Sequence, residues 1–463
     1  MSGLFASLNS SVKALNAHSR AIETTGKNLA NVNNSAYARQ RVIYGDRGTV
    51  QTPHGAQSLG LEVLAVQQLR DALIDRQYQR ELSLSGSYTA EQSAYQRAQA
   101  ALGETIDRAS DTDTGIGAAM DDLFSAFQSL ASRPTDAGER ASLLQKASIL
   151  TDRFQLADTR LAQVQSDLNA QVATDVSDVN RLLQTISELN TQIGRFEITQ
   201  PGSAVDLRDQ RQARIEELAG KINFNVVDGG NGQINLVVKD STSADVVLLD
   251  RGVVTGPVTF DGVALSGGSP AAVLAPASGS IQGALAARDG AVQTLRDDLD
   301  RLASQIVTTV NDAYNPTGLT GNFFTATGLT AGTIALDPAL NATNLKASDG
   351  GAAGDNSVAL AVAALASQKF TLAGGDAFDG TFGGFYSQTV ASLGQALAGA
   401  NARAEDQLAI TELVRGQRDS VSGVSLDEEL ADLTRFQRAF QASSRVFSIV
   451  DNLLDEVVNR LGR

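Results

Sequence analysis

The run from Asp136 to Phe196 constrains this chain most. Apolar residues recur there at three- and four-residue steps, through Leu143, Ala147, Leu150, Phe154, Ala157, Leu161, Val164 and Leu168. That spacing keeps one face of a helix apolar over many turns. After a phase slip near Val172 the pattern resumes at Val179, Leu182, Ile186, Leu189, Ile193 and Phe196, the kind of slip by which long coiled coils adjust their winding. Asp136 and Glu139 have capping-box spacing at its start, and Pro201-Gly202 closes it. At 1.5 Å per residue, roughly 60 residues make a helix of about 90 Å, far beyond the usual globular length. The fold class this predicts is mainly α, a rod of long helices paired as an intrachain coiled-coil bundle.

Both chain ends carry related patterns. At the C-terminus Leu426, Leu433, Phe440, Phe447, Leu454 and Leu461 lie seven apart, with Phe436, Val450 and Val457 on a second seam. Ser425 and Glu428 have capping-box spacing at its start, and Arg460 and Gly462 mark a stop. This predicts a helix of about 36 residues. Near the N-terminus Leu8, Leu15, Ile22 and Leu29 lie seven apart, but the adjoining seam of Phe5 and Val12 weakens to Ser19 and Gly26. That stripe is too narrow for an isolated helix to be firmly stable in water, so the two terminal helices are expected to order against each other and against neighbours.

A further repeat from Leu285 to Val310 stops at Asn315-Pro316, and residues 67–103 and 386–421 are also helical in pattern. Between them the character changes. "FNVVDGG", "QINLVVK", "DVVLLD" and "PVTFDGVAL" are short β-branched runs separated by Gly-rich turns, which predicts a small inserted β domain. "DGGNGQ" at 228–233 reads as a hairpin turn. Residues 317–357, rich in Gly, Thr and Ala, read as an extended loop with at most two short strands. The organisation expected is therefore terminal helices at 1–45 and 420–463, a long-helix core at 46–222 and 281–419, and a β domain at 223–280.

Charge and composition narrow the function. Lys plus Arg number 37 and Asp plus Glu 52, a formal charge of −15. Such an acidic chain lacks the basic surface that nucleic-acid binding requires. The N-terminal 41 residues run the other way, with basic groups outnumbering the lone Glu23, and read as a mildly charged partner surface. There is no Cys, which removes disulfides, thiolate metal sites and Cys nucleophiles. No apolar run is long enough to span a bilayer, and Ser, Asn and Lys interrupt the N-terminal stretch that a secretory leader would need apolar. The expectation is a soluble chain without membrane insertion.

Catalytic chemistry finds little support. The two histidines, His18 and His54, stand alone, without a His-Glu-x-x-His pairing. "DTDTG" at 111–115 begins like a calcium loop, but its Gly comes early and no Glu follows at the twelfth position. No phosphate-binding or dinucleotide-binding loop is present. The reading is a non-enzyme with no catalytic, cofactor-binding or metal site. Periodicity alone leaves two classes level: a protein that assembles through its terminal stripes, and a self-contained bundle carrying a β binding domain, such as a secreted coiled-coil binder.

One stretch separates them. "GKNLANVNNSAYARQRV" at 26–42 resembles the N-terminal signature of bacterial flagellar axial proteins, with Asn28, Ala30, Asn31, Tyr37 and Arg39 matching and Lys27, Asn34 and Ala36 departing. Ala36 stands where Gly is usual. The segment "SVSGVSLDEELADLTRFQRAFQASSRVFSIVDNLLDEVVNRLG" at 420–462 is similar to the C-terminus of the hook-associated members. "DLRDQRQARIEELAGKINFNVVDGGNGQINLVV" at 206–238 resembles their passage from helical core to β domain, and "GDNSVALAVAAL" at 354–365 and "QRDSVSG" at 417–423 also fit.

The resemblance implies a structural subunit of the hook–filament junction, exported unfolded without cleavage and located in the extracellular flagellum. It also implies partners: further copies in a ring, the hook protein, a second junction protein or the filament, and an export chaperone on the C-terminal helix. Leu8, Val12, Leu15, Ile22 and Leu29 would form the N-terminal assembly interface. Leu426, Leu433, Phe436, Phe440, Phe447, Val450, Leu454 and Leu461 would serve assembly and the chaperone. A distal rod or hook-type protein shares the signature and is the alternative within the class.

Overall fold

The computed structural model describes residues 2–46, 49–52, 55–58, 60–103, 115–318, 321–350 and 354–457. Helices dominate: α1 (Ser2–Ala30), α2 (Ala72–Leu102), α3 (Ile116–Ser132), α4 (Ala137–Phe196), α5 (Val205–Lys221), α6 (Ser280–Ala287), α7 (Gln293–Tyr314), α8 (Ser357–Ala364), α9 (Phe382–Ser422) and α10 (Leu426–Asp455). The chain divides into two compact units, one of residues 1–85, 176–279 and 407–463, the other of 86–175 and 280–406.

The 60-residue α4 matches the sequence pattern: Leu143, Leu150, Phe154, Leu161, Val179, Ile186 and Ile193 are buried. Asp136 Oδ1 accepts from the backbone of Gly138 and Glu139 at 2.7 and 3.2 Å, as an N-cap should. The Glu139 carboxylate does not reciprocate, because Arg133 takes it as an ion pair. The C-terminal box fails more completely. Ser425 makes no side-chain cap bond, and Glu428 is held by Arg39.

In the first unit, four strands precede α2: β1 (Gln40–Asp46), β2 (Thr49–Thr52), β3 (Gly55–Ser58) and β4 (Leu61–Gln68). β1 pairs antiparallel with β4, and β2 with β3. This corrects the expectation of a helical core from residue 46 onwards. The strands are short and partly polar, so no long apolar run announces them.

Further on, β5 (Asn225–Gly230), β6 (Gln233–Lys239), β7 (Asp245–Asp250) and β8 (Val253–Val254) form an antiparallel sheet in that order. β9 (Thr259–Phe260), β10 (Leu265–Gly267) and β11 (Ala272–Leu274) form a three-stranded one. The β5–β6 turn uses positive φ at Gly230, Asn231 and Gly232, as its sequence foretold. Gly232 is also close-packed: a Cβ there would lie 2.2 Å from Glu197 Oε2. Asn190 on α4 anchors the sheet, donating to the carbonyls of Ile234 and Arg251 at 2.8 and 2.6 Å.

The core of the second unit is aromatic. Phe127 lies 5.1 Å from Phe323, which meets Tyr314 and Phe324 edge-on. The segment after α7 is a packed connection, with Phe323, Phe324, Ala331, Ile334 and Leu345 buried. Asn311 of α7 fixes it, accepting from the Phe323 and Phe324 amides and donating to the Phe324 carbonyl. Its only strand-like pairing among the described residues is the bridge of Phe324 with Leu336.

Candidate assembly surface and terminal hub

α1 ends because Asn side chains take over its backbone partners. Asn31 Nδ2 donates back to the Lys27 carbonyl at 3.0 Å, and Asn34 Nδ2 donates to Asn31 Oδ1 at 3.2 Å. Ala36, where Gly is usual, needs no left-handed backbone: among the described residues the positive-φ non-glycines are Asn231, Ser243 and Arg251.

The signature residues converge on Asn28, which is 2% exposed. Its Nδ2 donates to the Gln40 carbonyl at 2.9 Å and to Glu429 Oε2 at 3.0 Å. Its Oδ1 accepts from the Tyr37 hydroxyl at 2.8 Å and from the Gln40 amide at 3.0 Å. All four hydrogen-bonding positions of the amide are filled, the condition for a buried Asn to stabilise. Burial and the Asp209, Asp206 and Glu429 carboxylates push the Tyr37 pKa up, so the hydroxyl remains a donor.

Arg39 adds the charge. It pairs with Glu428 at 2.6 Å, Glu429 at 2.7 Å and Asp432 at 3.7 Å, while its amide donates to the Ser422 carbonyl at 2.8 Å. Burial lowers its pKa, but Glu428 and Glu429 outweigh burial and hold the guanidinium above its ordinary value. Two further arginines that sequence reasoning did not single out brace the same turn. Arg418, 3% exposed, donates to the Ser35 carbonyl, pairs with Glu216 and lies 4.2 Å over the Tyr78 ring. Arg70 bonds the Ala36 carbonyl at 2.6 Å and pairs with Asp209 at 2.7 Å. Burial raises the pKa of both Asp209 and Glu216.

α1 packs along α10, but not mainly through the aliphatic stripe. Buried positions on α1 are small or polar: Ser11, Ala17, Ala21, Thr24, Thr25 and Asn28. Leu8, Leu15, Ile22 and Leu29 flank them half-buried, whereas Val12 is exposed, and so is Ala30. On α10, Val450 and Leu454 are buried, Leu433, Phe436 and Phe447 half-buried, and Leu426 and Phe440 exposed. Leu461 lies outside the described residues. The structure adds Leu430, Val446, Ile449 and Leu453, 44% to 59% exposed. Heptad counting from Leu426 missed them because they fall off that register.

His18 is half-buried on α1 with Nδ1 unpartnered, and burial lowers its pKa. His54 and residues 111–114 of the calcium-like stretch lie outside the described residues. Among the described residues no acidic or histidine cluster is built to hold a metal, and no helix is long and apolar enough to cross a membrane.

Two ends tied by a polar hub, beside long helices and a small β insertion, make a structural frame rather than a reaction site, and the domains it resembles are those of flagellar axial proteins. Residues 102–324 match the flagellar hook-associated protein FlgK helical domain, and residues 416–461 the C-terminal domain of the flagellar basal body rod FlgEFG proteins. The chain is thus similar to flagellar hook-associated protein over its helical middle and to the rod proteins at its C-terminus.

The hook-associated protein 1 of Bacillus subtilis is 26% identical over 520 residues, spanning 100% of this chain and 99% of the relative. That of Escherichia coli is 24% identical, spanning 98% and 99%. The flagellar hook junction protein FlgK of Burkholderia pseudomallei shares the fold, with a TM-score of 0.61 at 14% identity, over 75% of this chain and 100% of that one.

Proposed function

We propose that this chain forms the joint between hook and filament, as a ring of copies with the hook protein on one side and a second junction protein or the filament on the other. The observation that carries this is the exposed apolar side chains of α10, which form two patches: Leu426, Leu430 and Phe440 in its first half, and Val446, Ile449 and Leu453 on the other side of its second half. Two such patches on one helix of a lone chain call for partners. In this reading residues 1–45 and 420–463 line the inner tube, the long helices surround it, and residues 223–280 face solvent. The work is mechanical and needs no catalysis. The chain reaches the flagellum by export, with a chaperone covering α10 beforehand.

The match of residues 416–461 to a rod-protein domain favours a second reading, a distal rod or hook part. Deleting the gene and imaging cells by electron microscopy separates the two. Intact hooks without filaments, with flagellin lost to the medium, is the result expected of a junction. Loss of hooks as well would move the protein to the rod or hook. Normal filaments would overturn both.

A further inference from the structure

The seam between α1 and α10 is weakly specified by shape. Ala17 and Ala21 offer no large knobs, and the Thr24 hydroxyl is already spent on the Arg20 carbonyl at 2.8 Å. The flanking Leu8, Leu15, Ile22 and Leu29 repeat every seven residues, and opposite them Leu433, Phe447 and Leu454 share one heptad position and Phe436 and Val450 another. A slide of one heptad would therefore restore nearly the same apolar contacts.

What would not survive the slide is the contact of Asn28 with Glu429. The end of α1 meets the start of α10 there, so the helices run antiparallel; seven residues back and seven on, Ala21 and Phe436 line one groove. Asn28, Tyr37, Gln40 and Arg39 lie close in sequence and assemble a preformed receptor for one carboxylate. Glu429, 2% exposed, is the group that fills it. Sliding by a heptad would lay Ala21, which has no donor, against Glu429. It would leave both the buried carboxylate and an Asn28 donor unpaired, a large penalty for polar groups out of water.

We propose that Glu429 is the positioning residue that sets the axial register of the terminal helix pair. The apolar flanks supply the attraction and Glu429 selects one alignment among those the flanks allow. This concerns the pair itself and stands apart from the chain's place in the flagellum.

The absence of native cysteine makes the test direct. Full-length chains carry either Ala21→Cys with Phe436→Cys, which are in register, or Ala14→Cys with Phe436→Cys, the pair that the slide of Ala21 onto Glu429 would bring together, a heptad away and about 10 Å along the axis. That offset is too long for a disulfide without sliding. Each pair is built with Glu429 intact, with Glu429→Leu and with Glu429→Gln, and disulfide formation is timed under one oxidant. With Glu429 the in-register pair should close at least about tenfold faster than the slipped pair. Glu429→Leu should bring the two rates within about threefold, whereas Glu429→Gln, which keeps an acceptor for Asn28, should preserve most of the preference. A preference unchanged in Glu429→Leu would overturn the proposal. So would equal rates with Glu429 in place.

Discussion

The Tyr37 hydroxyl donates to Asn28 Oδ1 at 2.8 Å, closing the turn after α1 onto the helix itself. Tyr37→Phe removes that donor and leaves Asn28 Oδ1 with the Gln40 amide alone. The expected cost is about 1 kcal/mol, the net worth of one buried hydrogen bond. It should appear as faster amide exchange at the end of α1 and the start of β1, with the β5–β8 sheet unchanged.

Arg39→Ala should be costlier. It strips Glu429 of its cation while burial keeps the carboxylate from water, a situation worth about 3 kcal/mol. Hydrogen exchange across the first turns of α10 measures it. Arg39→Lys should recover only part, since an ammonium cannot span Glu428, Glu429 and Asp432 with one planar fork.

Acid should loosen the connection between α4 and α5, where Glu197 is held by Arg208 and the Ala204 amide. Burial raises the Glu197 pKa, but hydrogen bonds from Arg208 and from the Gly202 and Ala204 backbone outweigh it and hold it below its ordinary value of 4.5. The unfolded chain thus takes the proton first. Glu197 contributes its full stability above that value and loses it as pH falls through the depressed pKa. Asp209 and Glu216, raised by burial, run the opposite way: the folded form protonates first, and their contribution falls as pH climbs through their raised values. Pulsed amide exchange of residues 197–208 after incubation at graded pH should show that connection opening at low pH. Glu197→Gln should flatten that dependence.

Gly283→Ala tests close packing in the other unit. A Cβ at Gly283 would lie 2.1 Å from the Ser87 carbonyl oxygen, a backbone atom that cannot swing aside. Overpacking of this kind costs about 2 kcal/mol. A lowered denaturation midpoint, with opening localised to α6 and the middle of α2, is the expected outcome.

Phe440→Asp places a charge on the apolar patch that Phe440, 37% exposed, forms with Leu426 and Leu430 on α10. The helix content should stay as it is while swimming and filament attachment are lost. Motility at the normal level in that variant would remove the assembly role assigned to this face.

The long helices were legible because α4 and α10 repeat one apolar face over many turns, a signal each segment carries by itself. The Asn231-Gly232 turn was legible for the same local reason. β1 to β4 were not: their runs are short, and strand pairing such as Gln40 with Gln68 lies outside any local window. The terminal seam misled because periodicity ranks positions by apolar size, whereas α1 buries Ala17, Ala21 and Thr24 and leaves larger residues at the flanks. Arg418 and Arg70 escaped notice since nothing near them in sequence shows that Glu216 and Asp209 await them.

Asn28 and Glu429 are 401 residues apart in the chain. Joining them closes a loop of nearly the whole molecule, and such distant contacts form slowly, after local ones are in place. Whichever end leads, the hub cannot close until the other has arrived. A chain lacking either end would keep its long helices and leave the other end untied, so the hub reports by its closure that both ends are present.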